Sequence, residues 1–180
     1  MDYLEHHGIK GQRWGIRRFQ NKDGTLTKAG KLRAYKQSNA IYNTLSKDQQ
    51  RHASYTDEPN VFMNKEEYLS LSKNAFVKKD KGKASSILNI VAGGKDDEVE
   101  FQVMTRNDKQ GRGYASRLVD KGIKWAKDTQ KNSIIWQVSL NNDASIKLAK
   151  KKGFEFTRNL MYDWNGEHFV PSTAVYTKRL

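Results

Sequence analysis

Six residues, Gln110-Gly111-Arg112-Gly113-Tyr114-Ala115, stand between a strand-like run and an amphipathic helical one. Two glycines one residue apart let the chain turn sharply and bare its backbone N–H groups, and a helix starting directly after them adds its positive dipole end. That combination suits a phosphate group. Glycine turns also serve only to reverse a chain, so the chemistry depends on what flanks this one. Upstream, Glu98 and Glu100 lie two apart in the strand-like run and share one face. A carboxylate so placed can take a proton from a nucleophile, or it can be a solvated strand residue balancing a basic surface.

The surrounding pattern supplies the elements that hold these groups. Thr27 is a helix N-cap, with Leu32, Tyr35, Ala40, Ile41 and Leu45 available for burial after it, and a shorter helix is expected from Asn64 through Leu71. Three strands follow, at 75–78, 86–91 and 98–105, with turns at Asp80-Lys81-Gly82-Lys83 and Gly93-Gly94-Lys95-Asp96 that make them an antiparallel meander. After the glycine turn, Ala115, Leu118, Val119, Gly122, Ile123 and Ala126 recur at helical spacing. Ile134, Trp136, Val138 and Leu140 then alternate in a strand, which a crossover helix places parallel to 98–105. A helix over about 143–152 ends at Gly153, and strands are expected within 154–164 and 172–179. Trp125, Trp136 and Trp164 fall at helix or strand positions and read as core or rim.

A chain of 180 residues holds one domain with a real core plus an extension. We divide it into a basic, aromatic arm over 1–26 and a domain over 27–180. The net charge of +13 favours phosphate-rich or acidic partners, nucleic acid among them. With no cysteine there is no disulfide, thiol nucleophile or thiolate metal site. His6 and His7 point apart and have no third ligand at useful spacing, so no metal is expected.

The order of elements, with the residues at two of its junctions, resembles the GNAT superfamily of acyl-CoA-dependent N-acetyltransferases. That family's pyrophosphate motif is matched by Gln110, Gly113 and Ala115, and its second motif by Asn142, Ser145, Ile146, Leu148, Gly153 and Phe154. The resemblance covers roughly residues 75–180. It implies an α/β (α+β) fold: a central mixed sheet, an antiparallel meander and then a βαβ unit whose parallel strands splay, flanked by helices. It implies acetyl-CoA as acyl donor, with Gly111, Arg112, Gly113, Tyr114 and Ala115 around the pyrophosphate and Arg112, Lys109 or Arg117 adding charge. Val103, Met104 and Thr105 would pair with the pantetheine amides in the splay, and Asn142 would lie near the pantetheine arm. Glu100 is the first choice of general base and Glu98 the second. Many family members carry a tyrosine that protonates the departing thiolate, and Ala149 stands at that position here. Tyr114, Tyr162 and Tyr176 do not replace it by alignment. The resemblance therefore implies an N-acetyltransferase acting on an amine of a protein or small molecule, or else a coenzyme-binding domain with little activity.

Residues 4–31 resemble a leader shared by diverse phage proteins of Gram-positive hosts. This implies a phage-encoded protein in the cytoplasm of a bacterial host, with possible roles for the arm in binding virion structural proteins or a host factor. In the arm, Arg13, Trp14, Arg17, Arg18 and Phe19 interleave cations with aromatic rings, a pattern that can dock on acidic protein or nucleic acid, or fold back on the domain. The run Lys150-Lys151-Lys152 suits a solvated helix end, the coenzyme's 3′-phosphate or an aminoacyl-tRNA acceptor. No secretion-signal layout opens the sequence, and no apolar run approaches the ~20 residues of a membrane span.

Overall fold

The computed structural model describes residues 18–53 and 63–180. Helices α1 (Lys28–Tyr42), α2 (Lys47–Ala53) and α3 (Lys65–Leu71) precede strands β1 (Ser72–Asp80), β2 (Lys83–Ala92) and β3 (Glu98–Thr105). Helix α4 (Tyr114–Asp128), strand β4 (Ser133–Ser139), helix α5 (Asp143–Lys151) and strands β5 (Glu155–Trp164) and β6 (Phe169–Arg179) complete the chain. The six strands form one mixed sheet in the order β1-β2-β3-β4-β6-β5. β1, β2 and β3 are the expected antiparallel meander, and β3 and β4 are the expected parallel neighbours.

Strand alternation divides the core between the two faces of the sheet. Leu88, Ile90, Val99, Phe101, Ile134, Trp136 and Val138 pack with Leu118, Val119 and Ala126 of α4 and with Ala149 of α5. Ile87, Val91 and Met104 pack on the other face with Ala34, Ile41 and Tyr68. Helix α4 lies so close that a Cβ on Gly122 would come within 2.5 Å of the Leu88 side chain and 2.7 Å of the Phe101 ring. This seating fixes the start of α4, and so the glycine turn, against the sheet.

Some expected details are corrected. In α1 the buried residues are Gly30, Ala34, Ser38, Ile41 and Tyr42, whereas Ala40 is exposed and Leu32, Tyr35 and Leu45 are only partly buried. The helix approaches through its small residues: a Cβ on Gly30 would lie 2.0 Å from the Phe19 carbonyl oxygen. Helix α2 has no counterpart in the expected elements, because its sequence Lys-Asp-Gln-Gln-Arg-His-Ala carries no apolar period. Residues 18–26 of the arm are bonded to the domain. The Leu26 N–H donates to the Lys73 carbonyl at 2.8 Å, and the Trp125 indole donates to the Gly24 carbonyl at 3.3 Å. The Arg33 guanidinium covers the Phe19 ring at 4.6 Å. Arg13, Trp14 and Arg17, with His6 and His7, lie outside the described residues.

The α1 face contains a buried polar cluster. Tyr68 donates to Asn89 Oδ1 at 2.8 Å, and the Asn89 amide donates to Ser38 at 3.0 Å. Burial pushes the Tyr68 phenol up to about 12, only partly countered by the hydroxyls of Ser72 and Ser38. The folded protein thus holds this proton more tightly than the unfolded chain, where the phenol titrates near its ordinary 10.0. The resulting stability is whole below the unfolded value and is lost as pH rises through the folded one. Tyr68→Phe is therefore expected to flatten the loss of stability between about pH 10 and 12 and to cost about 1 kcal/mol at neutral pH. Denaturant melts of both proteins across that range check it, and parallel alkaline slopes would rule it out.

Candidate active site

The β3–β4 ladder is short. Glu98 pairs with Ser133, Val99 with Ile134 and Glu100 with Ile135, and the register ends there. Beyond it β3 continues to Thr105, paired among the described residues with β2 alone, and β4 continues to Ser139, paired among them with β6 alone. The inner edges of the two strands therefore open into a cleft with Glu100 at its apex. Val103, Met104 and Thr105 lie along the β3 side of that opening, their other edge occupied by Leu88, Ile87 and Ser86. Backbone groups on an unpaired strand edge need partners, which an extended ligand with amides can supply.

The glycine turn stands at the end of β3, after a short 3-10 turn over Asn107–Lys109. Gly111 (φ 72) and Gly113 (φ 70) are both left-handed, a region that an L side chain enters only with strain. A Cβ on either would meet no heavy atom within 4 Å, so no neighbouring group is packed against the turn at these two positions. Gly113 is the N-cap of α4, and the helix has no acidic residue in its first turn. Its first N–H groups lack intrahelical partners and can face an anion. Arg117 donates to the Arg112 carbonyl at 3.1 Å and lies over the Tyr114 ring at 5.7 Å, with Lys78 over the same ring at 5.6 Å. Gln110 and Arg112 are exposed and Ala115 is partly buried. Lys109 is engaged by a carboxylate: its ammonium contacts Asp80 at 2.8 Å and holds that carboxyl below its ordinary value.

The two glutamates of β3 differ in setting. Glu98, at the closed end of the sheet, accepts from the Gly94 N–H at 3.1 Å and from the Ser133 hydroxyl at 3.2 Å, so it braces the β2–β3 turn. Glu100 is 7% exposed, and its carboxylate accepts from the Gln137 amide at 2.9 Å and, more distantly, from the Gln102 amide at 3.5 Å. Asn142 is the N-cap of α5, its Oδ1 accepting from the Ser145 N–H at 3.1 Å. Ala149 is fully buried in the α4-side core. Lys152 of the basic run is bound to Asp120 at 2.7 Å, whereas Lys150 and Lys151 are exposed. Gln137 and Gln102 were not expected at the site, since an uncharged amide in a strand carries no signal until the register of two distant strands is known.

Among the described residues, no group of His, Asp or Glu is placed to hold a metal ion, and no helix is long and apolar enough to cross a membrane. An open glycine turn at a helix start, beside a parallel pair that splays, is an arrangement that can take an extended ligand with an anionic end. The chain belongs to the acetyltransferase (GNAT) family, whose model matches residues 39–154. The yncA protein of Salmonella typhimurium, solved with its cofactor acetyl-CoA, aligns with a TM-score of 0.61 at 18% identity, over 86% of this chain and 91% of its own. A ribosomal-protein-alanine N-acetyltransferase from Brucella melitensis gives 0.63 at 19%, over 87% and 98%. A Bacillus subtilis acetyltransferase in complex with CoA gives 0.53 at 14%, over 64% and 81%. At such identities the likeness is one of fold. No curated protein sequence matches this chain.

Proposed function

We propose that this protein is an acetyl-CoA-dependent N-acetyltransferase acting on an amine of a protein or small molecule. The observation that carries this reading is the coincidence of an open, left-handed glycine turn at the start of α4 with the end of the β3–β4 ladder at Glu100. The N–H groups of Gly111 through Ala115 hold the pyrophosphate, with Arg112 and Arg117 adding charge. The open edge at Val103, Met104 and Thr105 takes the pantetheine amides, and Asn142 keeps the start of α5 beside that arm. The thioester supplies an acyl carbon already activated toward attack. Glu100, at the apex, takes a proton from the acceptor's ammonium and frees its lone pair. Because Ala149 offers no hydroxyl, water supplies the proton for the sulfur.

The buried, hydroxyl-free Ala149 favours a second reading, a coenzyme-binding protein without transfer activity whose arm makes the functional contacts. The resemblance of residues 4–31 to a phage leader supports, for either form, a phage-encoded protein that works in the bacterial cytoplasm or is carried with the virion. Incubating the full chain with radiolabelled acetyl-CoA and host lysate separates the readings. Label is expected in discrete protein, tRNA or small-molecule fractions. Binding of acetyl-CoA with no labelled product supports the second reading, and an absence of binding sinks both.

A further inference from the structure

β1 ends the sheet, so among the described residues one of its edges faces no other strand of the sheet. Its pairing with β2 is irregular between Ser72 and Asn74 and again between Lys78 and Lys79, and the register from Asn74 to Lys78 is regular. At the start of this edge the arm is already bonded to the strand, the Leu26 N–H donating to the Lys73 carbonyl. The Ala75 N–H donates to a side chain of its own strand, Asn74 Oδ1, at 2.8 Å. Asn74 Nδ2 is left buried with no hydrogen-bond partner, which costs free energy.

Beside β1 lies a groove of about 240 Å³, walled by Gly30 and Ala34 of α1, Ala75 and Val77 of β1, and Phe19 and Leu26 of the arm. These walls are small or apolar and suit aliphatic side chains. The rim is cationic. Arg33 and Lys79 line it, and the guanidinium groups of Arg18 and Arg33 lie over the Phe19 ring at 5.2 and 4.6 Å. All three cations are exposed, and among the described residues none is in a salt bridge.

Charge selects the occupant. A second copy of β1 would set Lys73, Lys78 and Lys79 against themselves, and residues 8–17 of the chain hold Lys10, Arg13 and Arg17 with no acid. The rim repels both. A nucleic-acid strand would answer the cations but brings no amides to a strand edge. We propose that the β1 edge and its groove are a docking surface for an extended, acidic segment of a partner protein, which adds a strand along residues 75–79. Alternate side chains of such a strand face the groove, and its carboxylates meet Arg18, Arg33 and Lys79. A carbonyl of the added strand takes the Ala75 N–H, which releases the Asn74 amide to turn and satisfy its Nδ2. This surface is independent of the transferase reading.

The probe is a capped, fluorescein-labelled peptide, Glu-Glu-Val-Glu-Val-Glu-Glu, titrated with the full chain and followed by anisotropy. Saturable binding is expected with a Kd below about 100 μM. Serine in place of both valines should weaken it by about tenfold, and lysine in place of the glutamates should abolish it. N-methylation of one alternating set of peptide nitrogens should also cost about tenfold, while the other set, facing away from β1, is tolerated. The exposed pair Arg33→Glu and Lys79→Glu, made together, should weaken binding by more than about tenfold with the Tm unchanged. On binding, the Ala75 amide should gain protection from hydrogen exchange. Absence of saturable binding overturns the proposal, as do equal effects of the two N-methylated sets. Displacement of the peptide by an oligothymidylate that loses affinity in the same double variant would make this a nucleic-acid surface instead. Self-association of the chain that the peptide reverses would assign the edge to a second copy, and would equally overturn it.

Discussion

A Gly113→Glu protein is expected to melt at the same temperature with and without saturating acetyl-CoA, whereas the wild type gains several degrees. A ligand present at about a hundred times its Kd stabilises the native state by about 2.7 kcal/mol. For a chain of this size that corresponds to a rise in Tm of roughly 5 to 10 °C. Glutamate at position 113 acts on this in two ways. Its carboxylate stands at the N-cap of α4 and repels a pyrophosphate received by the first-turn N–H groups there. Its Cβ also brings about 1 to 2 kcal/mol of left-handed strain at φ 70, lowering the Tm of the free protein by a few degrees. Gly113→Ala separates the two effects, because it carries similar strain but no charge and meets no atom within 4 Å. The alanine protein should retain a measurable rise with acetyl-CoA. A full rise in the glutamate protein, or none in the wild type, would remove the turn from the coenzyme site.

The elements that hold the site were legible where one face of each is buried. β3 runs over Glu98–Thr105 as expected, and β4 over Ser133–Ser139, one residue short. Both alternate apolar and polar residues against a helix packed on one side, so period and burial agree. Helix α4 was legible for the same reason, although its buried stripe also takes in Trp125. β1 runs over Ser72–Asp80, well beyond the expected 75–78, because lysines dominate its outer half and a charged edge strand looks like a turn in sequence. The arm's boundary was harder still. The bonds of Leu26 to Lys73 and of Trp125 to Gly24 join residues distant in the chain, and no local pattern announces them.

The site shows the same division. The glycine turn is a local feature and could be read directly, whereas the end of the β3–β4 ladder is a register between strands distant in the chain. Only that register distinguishes Glu100 at the apex of the cleft from Glu98 at the closed end, although the two share a face and a residue type. Lys109 illustrates the converse: it stands beside the turn in sequence, but Asp80 at the end of the β1–β2 hairpin holds it.

That contrast between two carboxylates gives the second large effect. Glu100→Gln is expected to lower kcat for a protonated amine acceptor by about 10²- to 10⁴-fold, the usual range for loss of a positioned general base. The thermal shift with acetyl-CoA should be unchanged, since Glu100 lies at the apex and away from the turn that grips the phosphates. Glutamine keeps the volume and can still meet the Gln137 amide through its carbonyl oxygen, so the buried site is not left with an empty space. Glu98→Gln is the matched control. Its carboxylate serves the Gly94 N–H and the Ser133 hydroxyl, so the change should alter Tm by a degree or two and leave kcat within about twofold. Steady-state kinetics of the two variants, with intact-mass detection of the acetylated acceptor, decide between them. A large loss in the Glu98 variant with full activity in the Glu100 variant would move the base to the closed end of the sheet. Equal, small effects would mean that the acceptor reaches the cleft already neutral, with proximity to the thioester providing the rate.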